Sequence, residues 1–145
     1  MMMNILAVIA LLALGLMAYV RLAPTDVERW HQTATVNEPG DLIAPGGFRA
    51  ARQINADGAE VLAALDRIAS ATPRTRRIAG SVNDGMITYQ TRSLIWGFPD
   101  HTTAAVQGDL LVVHGRLRFG QSDMGVNRAR VTAWLDQLGP LTTAP

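Results

Sequence analysis

The stretch that opens with Met1 and closes with Val20 carries no charged side chain, and from residue 5 onward it is apolar apart from Gly15. Twenty helical residues at about 1.5 Å each reach roughly 30 Å, the thickness of a bilayer's hydrocarbon core. A run of this kind must be covered by lipid, removed by a signal peptidase or buried in protein. Arg21 follows it, Pro24 stops the helix soon after, and Tyr19 stands where an interfacial aromatic would stand. The segment lacks the Lys or Arg of a signal peptide's leading region and has no clear A-x-A cleavage site. The reading adopted is a single-pass transmembrane anchor over residues 1–21. Cleavage as a signal peptide and burial in a soluble fold are the alternatives.

About 120 residues follow the apolar run, enough for one domain with one core. The net charge of the 145-residue chain is +1, so no global field draws nucleic acid, and none is expected as a partner. There is no cysteine, which excludes disulfides, thiolate chemistry, Cys-ligated zinc and a lipoprotein anchor. All thirteen basic residues are Arg. Codon usage accounts for that; so would selection for forked contacts to anions.

Residues 22–56 read as an irregular approach segment, because Pro24, Pro39, Gly40, Pro45, Gly46 and Gly47 break any long periodicity. Trp30 and Phe48 are expected to tuck it onto the domain. An α+β domain over residues 57–138 comes next. Asp57 with Glu60 forms a capping-box pattern, and Val61, Leu65 and Ile68 follow at helical spacing until Thr72-Pro73. Four strands are expected at 76–82, 86–94, 102–107 and 110–119, with Asn83-Asp84-Gly85 as a hairpin turn. The fourth places Leu111, Val113, Gly115, Leu117 and Phe119 on one face. Leu110, Val112, His114, Arg116 and Arg118 fall on the other, a half-buried pattern. A helix from about residue 124 to 138 buries Val131, Trp134, Leu135 and Leu138. Residues 139–145 are expected to be a loose tail. The sum is a two-layer α+β domain, an antiparallel sheet of about four strands with two helices, behind one transmembrane helix.

The run Arg118-Phe119-Gly120-Gln121-Ser122-Asp123-Met124-Gly125-Val126-Asn127-Arg128-Ala129-Arg130 resembles the hallmark of an uncharacterised family called domain of unknown function 1499. Thr91-Arg92-Ser93 and Gly97-Phe98-Pro99-Asp100 resemble its second motif. The chain departs from the family pattern at His101, where a second acid is usual, and over His114 to Leu117, where Arg-Ser-x-Ser is usual. The resemblance covers roughly residues 55–138. It implies an exported or membrane-attached domain, found in bacteria and plastid relatives, and supplies no activity.

The residues singled out as an anion-binding or structural polar cluster are Asp100, Arg118, Ser122, Asp123, Asn127, Arg128 and Arg130. Ser122 and Asp123 precede a helix and suit N-caps, as does Asn127 if the helix starts later. Gly125 suits a positive φ. Arg128 and Arg130, two apart, project to different sides of a helix. One reading locks strand to helix through Asp100, Asp123 and the arginines. The other grips a carboxylate, phosphate or lipid head group with Arg118 and Arg128 at a helix N-terminus. Arg74, Arg76 and Arg77 form a basic cluster, read as a solvated strand edge or as a contact for anionic lipid. His31, His101 and His114 stand in no metal-binding spacing, and Ser93 or Ser122 lies in no nucleophile-elbow context, so no metal, cofactor or catalytic residue is expected. The functional expectation is a membrane-anchored accessory or binding domain. A stabilising subunit of a larger membrane complex and a small enzyme using Asp100, Arg118 and Asp123 are the alternatives. The location expected is the inner membrane, with the domain in the periplasm and a membrane protein as a further partner.

Overall fold

The computed structural model describes residues 2–144. Met1, first in the expected apolar helix, and Pro145, last in the expected tail, lie outside them. Helix α1 spans Met2–Leu22 and is followed by the single turn α2, Val27–Trp30. Then come β1 (Gly40–Ala44), β2 (Gly47–Gln53), α3 (Gly58–Ala71), β3 (Thr75–Ser81), β4 (Met86–Arg92), β5 (Pro99–Gln107), β6 (Leu110–Leu117) and α4 (Val126–Leu138). The strands form one sheet in the order β1-β2-β6-β5-β4-β3, with every neighbouring pair antiparallel.

The class is α+β, but the sheet has six strands rather than about four. The two further strands, β1 and β2, lie in the stretch that reads as irregular. Pro39, Gly46 and Gly47 punctuate them there: each strand is short, and the link between them is a tight turn at Gly46, φ 67°. Tertiary pairing decided the matter, because β2 docks along the whole of β6, from Gly47 against Arg116 to Gln53 against Leu110. The tail differs from expectation too. A 3-10 turn at Gly139–Leu141 continues α4, Thr142 bridges Ile54, and the Thr143 amide donates to the Gln53 carbonyl at 3.0 Å.

One face of the sheet carries both long helices of the domain. Asp57 caps α3 by accepting from the amides of Ala59 and Glu60. The α3 stripe of Val61, Leu62, Leu65 and Ala69 packs on Ile87, Tyr89, Ala104, Leu111 and Val113 of the sheet. The α4 stripe is Val131, Trp134, Leu135 and Leu138. Trp134 meets Tyr89 edge to face at 5.6 Å, and its indole N–H donates to Thr72 at the end of α3. The helices are thereby joined to each other as well as to the sheet.

The second face is covered by the chain between α1 and β1, and it is polar at one end and apolar at the other. Val36 packs on Ala51, Leu110 and Val112. Hence the first half of β6 is buried on both sides, where the alternation alone suggests one. Trp30 stacks on His101, with ring centroids 4.2 Å apart, and the Arg116 guanidinium lies over the same indole. The Trp30 carbonyl accepts from Thr103 Oγ1 at 2.9 Å and from Arg116. Because the one Thr103 hydroxyl proton goes to that carbonyl, Thr88 must donate to Thr103. His31 Nδ1 therefore carries the proton in its 2.9 Å bond to Thr88.

Trp30→Ala is expected to lower the unfolding free energy of the full chain in mild detergent by about 3 kcal/mol, the usual cost of truncating a buried Trp. It should also expose the 24–36 segment to protease before the sheet melts. Thermal unfolding with limited proteolysis tests this, and a variant as stable and as resistant as wild type would refute the role given to Trp30.

Candidate functional site

The long C-terminal motif is a loop that turns β6 into α4. Met124 at φ 51° and Gly125 at φ 82° lie in the left-handed region, so the chain cannot enter the helix with a regular first turn. Asp123 compensates: its carboxylate accepts from the amides of Gly125 at 3.0 Å and Asn127 at 2.9 Å. Burial pushes this carboxyl up, but the hydrogen bonds from Asn127 and Gly125 outweigh it and leave the group below the ordinary carboxylate range. Ser122 Oγ accepts from the Met124 amide at 3.3 Å.

Asn127 does not cap the helix. It is fully buried, and its side chain crosses to the sheet. Its Nδ2 donates to Asp100 at 3.3 Å, and its Oδ1 accepts from Arg130 at 2.9 Å. Arg130 lies 3.5 Å from the same Asp100 carboxylate. Gly115 on β6 makes room for this crossing, since a Cβ there would sit 2.8 Å from Asn127 Oδ1. Burial raises the Asp100 pKa, while Arg130 and Asn127 oppose the rise.

The structure therefore brings together Asp100, Asp123, Asn127 and Arg130, with Ser122 beside them. It does not bring in Arg118 or Arg128. Arg118 projects from the second face and donates to Pro24 O at 2.7 Å and Thr25 Oγ1 at 3.2 Å. Arg128 lies over the Phe48 ring. The two arginines cannot grip one anion, and an Asp100/Arg118/Asp123 constellation does not form, because strand alternation puts Arg118 on the side opposite Asp100's partner Leu117. Beside the acids opens a groove of about 410 Å³ walled by Phe98, Leu117, Phe119, Met124 and Val126.

A denser charge cluster lies at the same end of the sheet, on and around its second face. Arg92 closes the end of α1: it donates to the carbonyls of Val20 (3.3 Å) and Arg21 (3.2 Å), and to Gly97 O (2.8 Å). Those helix-end carbonyls have no partner within the helix, and a cation suits the negative end of its dipole. Arg21 donates to Ile95 O, Arg74 to Arg92 O, and Arg76 to Gln90 Oε1. Among the described residues the salt bridges are Arg52–Asp41, Arg77–Asp66 and Arg130–Asp100. Arg21, Arg74, Arg76, Arg92 and Arg118 are thus held by neutral oxygens alone. Their mutual repulsion is visible in Arg92, whose pKa is lowered by burial and then by Arg76, Arg118 and Arg21. Buried His101 feels the same field and is held neutral, at about 3, by burial first and then by Arg118, Arg116, Arg92 and Arg76. Its Nε2 accepts from the Gln90 amide, and its Nδ1 has no partner among the described residues. Arg21, Arg76 and Arg92 line an open cleft of about 460 Å³ with Arg77, Pro24 and Thr25.

A model of the family described as Protein of unknown function (DUF1499) matches residues 23–138. The chain belongs to the DUF1499 family. The match begins one residue beyond α1 and ends with the last residue of α4. The DUF1499 region therefore takes in the arm over the second face and both edge strands, as well as the two motifs. A comparison with curated proteins finds no match. The sequence signal for the arginine cluster is the Arg74-Arg76-Arg77 run; the contributions of Arg21, Arg92 and Arg118 depend on a helix end and strand ends that meet only in the fold.

Asp123→Ala should lower the midpoint of thermal unfolding by the equivalent of about 1–2 kcal/mol, because two amides lose their acceptor. Arg118→Ala, which frees only neutral and largely solvated oxygens, should cost under about 1 kcal/mol. Equal losses in the two variants would contradict a structural role for Asp123 greater than that of Arg118.

Proposed function

We propose that this DUF1499 protein is a membrane-anchored binding domain that recognises the phosphate-bearing headgroup of anionic lipid. The observation that carries the reading is the arginine cluster beside the end of α1, five guanidiniums with no carboxylate partner among the described residues. Five of the thirteen arginines of a chain whose net charge is only +1 thus lie close together. Guanidiniums fork onto phosphate oxygens, and each basic residue near an anionic surface contributes about 1 kcal/mol. Helix α1 is the one helix among the described residues long and apolar enough to cross a membrane, although a signal sequence meets the same test. Taken as an anchor, it sets Arg21, and with it the cleft, at headgroup level. The Arg118 and Arg128 pair considered from sequence is replaced in this reading by Arg21, Arg76 and Arg92.

The test is native mass spectrometry of the full chain released from micelles holding equal phosphatidylglycerol and phosphatidylcholine. Wild type should retain phosphatidylglycerol preferentially. The double change Arg74→Gln, Arg76→Gln should cut the preference about tenfold or more, from the loss of two charges. Equal retention of both lipids by wild type would sink the reading.

The reading also places the anchor in the inner membrane with the domain in the periplasm. Arg21 and Arg29 favour the cytoplasm, but a domain of about 120 residues translocates largely regardless of such a bias. A C-terminal alkaline phosphatase fusion should be active in cells; an inactive fusion alongside a fluorescent cytosol-folding one would reverse the orientation.

A further inference from the structure

Between β4 and β5 the chain makes a loop, Ser93 to Phe98, whose apolar side chains face outward. Leu94 is 73% exposed, Ile95 69% and Trp96 39%. Three consecutive large apolar residues in open solvent call for a covering. The loop is not free to fold them inward, because it is tied to the last turn of α1. Arg92 joins Gly97 O to Val20 O and Arg21 O, and Arg21 Nη2 donates back to Ile95 O at 3.0 Å. The loop and the helix end therefore sit at one level.

Aromatic rings mark that level. Tyr19 of α1 meets Phe119 at 6.3 Å, Phe119 meets Phe98 at 6.1 Å, and Phe98 meets Trp96 at 6.4 Å. Half of the chain's eight aromatic residues thus form one chain of contacts from the helix to the loop tip. Tyr and Trp concentrate at the boundary of a bilayer because one end of each ring is apolar and the other polar. Met124, 92% exposed, adds an apolar side chain from the neighbouring motif loop. The two ends of the loop are bonded to each other: the Ser93 amide donates to Phe98 O at 2.9 Å, and the Phe98 amide donates to Ser93 Oγ at 3.0 Å. Two mutually bonded ends let the tip enter an apolar layer without unpaired amides at its base.

We infer that the loop tip Leu94-Ile95-Trp96 is a second membrane contact, inserted into the interfacial layer of the bilayer that α1 crosses. The occupant of this surface is lipid, because the patch is continuous with α1, whose own exposed Leu, Ile and Val side chains need the same apolar medium. Held at two points, the helix end and the loop, the domain keeps a fixed tilt and a fixed height above the bilayer. The inference rests on the reading of α1 as a membrane anchor but not on lipid charge, since the loop itself carries none.

Because the chain has no cysteine, single spin labels report without background. Ile95→Cys, Leu12→Cys in α1 and Asn83→Cys in the β3–β4 turn at the far end of the sheet are each made in the full chain. They are labelled with nitroxide and placed in phosphatidylcholine nanodiscs. The Ile95 label should collide with a water-soluble nickel chelate at least about fivefold less than the Asn83 label, and should gain accessibility to oxygen, as the Leu12 label does. The result should be unchanged when phosphatidylglycerol is added. An Ile95 label as open to nickel as the Asn83 label, with Leu12 protected, overturns the loop contact and leaves the anchor and the headgroup reading standing. Spin–spin broadening at Ile95 that vanishes on dilution with unlabelled protein assigns the patch to a second copy and equally overturns it. Protection at Ile95 with no lipid-charge preference in the retention experiment would keep the loop contact and remove the headgroup reading.

Discussion

A six-stranded antiparallel sheet has two faces, and the two long helices of the domain, α3 and α4, lie on the same one. The other face must be closed by chain that, apart from the single turn α2, is neither helix nor strand. Residues between α1 and β1 do this through Trp30, His31 and Val36, and they succeed because the face beneath them is polar where they are polar. Thr88, Gln90, His101 and Thr103 are fully or almost fully buried, yet all four hydrogen-bond to the arm or to one another. Buried polar groups left unpaired would cost more than the burial of Trp30 gains. The arm and the network therefore form together.

That network also accounts for the way positive charge is stored in the molecule. Arginines on this side are paired with carbonyls, hydroxyls and an amide oxygen, which satisfy their N–H groups without cancelling their charge. On the helix-bearing side Arg52, Arg77 and Arg130 each meet a carboxylate. The asymmetry makes one end of the second face electropositive in a chain that is nearly neutral, and that end is where α1 joins the domain.

The two family motifs meet at one end of the sheet, and each contributes to both of its sides: Asp100 with Asn127 and Arg130 on the helix-bearing side, Arg92 and Arg118 on the other. Asp123 repairs an irregular helix start, and Asn127 and Arg130 carry that start across to Asp100 on the sheet. The structural work of the C-terminal motif lies there. Arg92, from the upstream motif, ties the sheet to the end of α1 and holds the 93–98 loop in place. Together with Arg21 on Ile95 O and Tyr19 against Phe119, it fixes how the end of α1 meets the domain.

Much of this was legible in the sequence where a pattern repeats locally. The uncharged run gave α1, the Asp57 cap and apolar spacing gave α3, Asn83-Asp84-Gly85 gave the β3–β4 hairpin, and alternation sorted the side chains of β6. The motif residues that meet, Asp100, Asp123, Asn127 and Arg130, stand at recognisable spacings. Strands β1 and β2 were not legible, because five and seven residues between glycines and prolines carry no periodicity of their own and become strands only by docking on β6. The exclusion of Arg118 from the Asp100 cluster followed from the register of β5 against β6, which no one-dimensional pattern encodes. The arginine cluster and the aromatic chain are likewise products of tertiary structure. Each gathers residues some seventy to one hundred positions apart, such as Arg21 with Arg92 and Tyr19 with Phe119. Local spacing determines which elements form and which side chains share a face; only the closing of the sheet decides which distant faces meet.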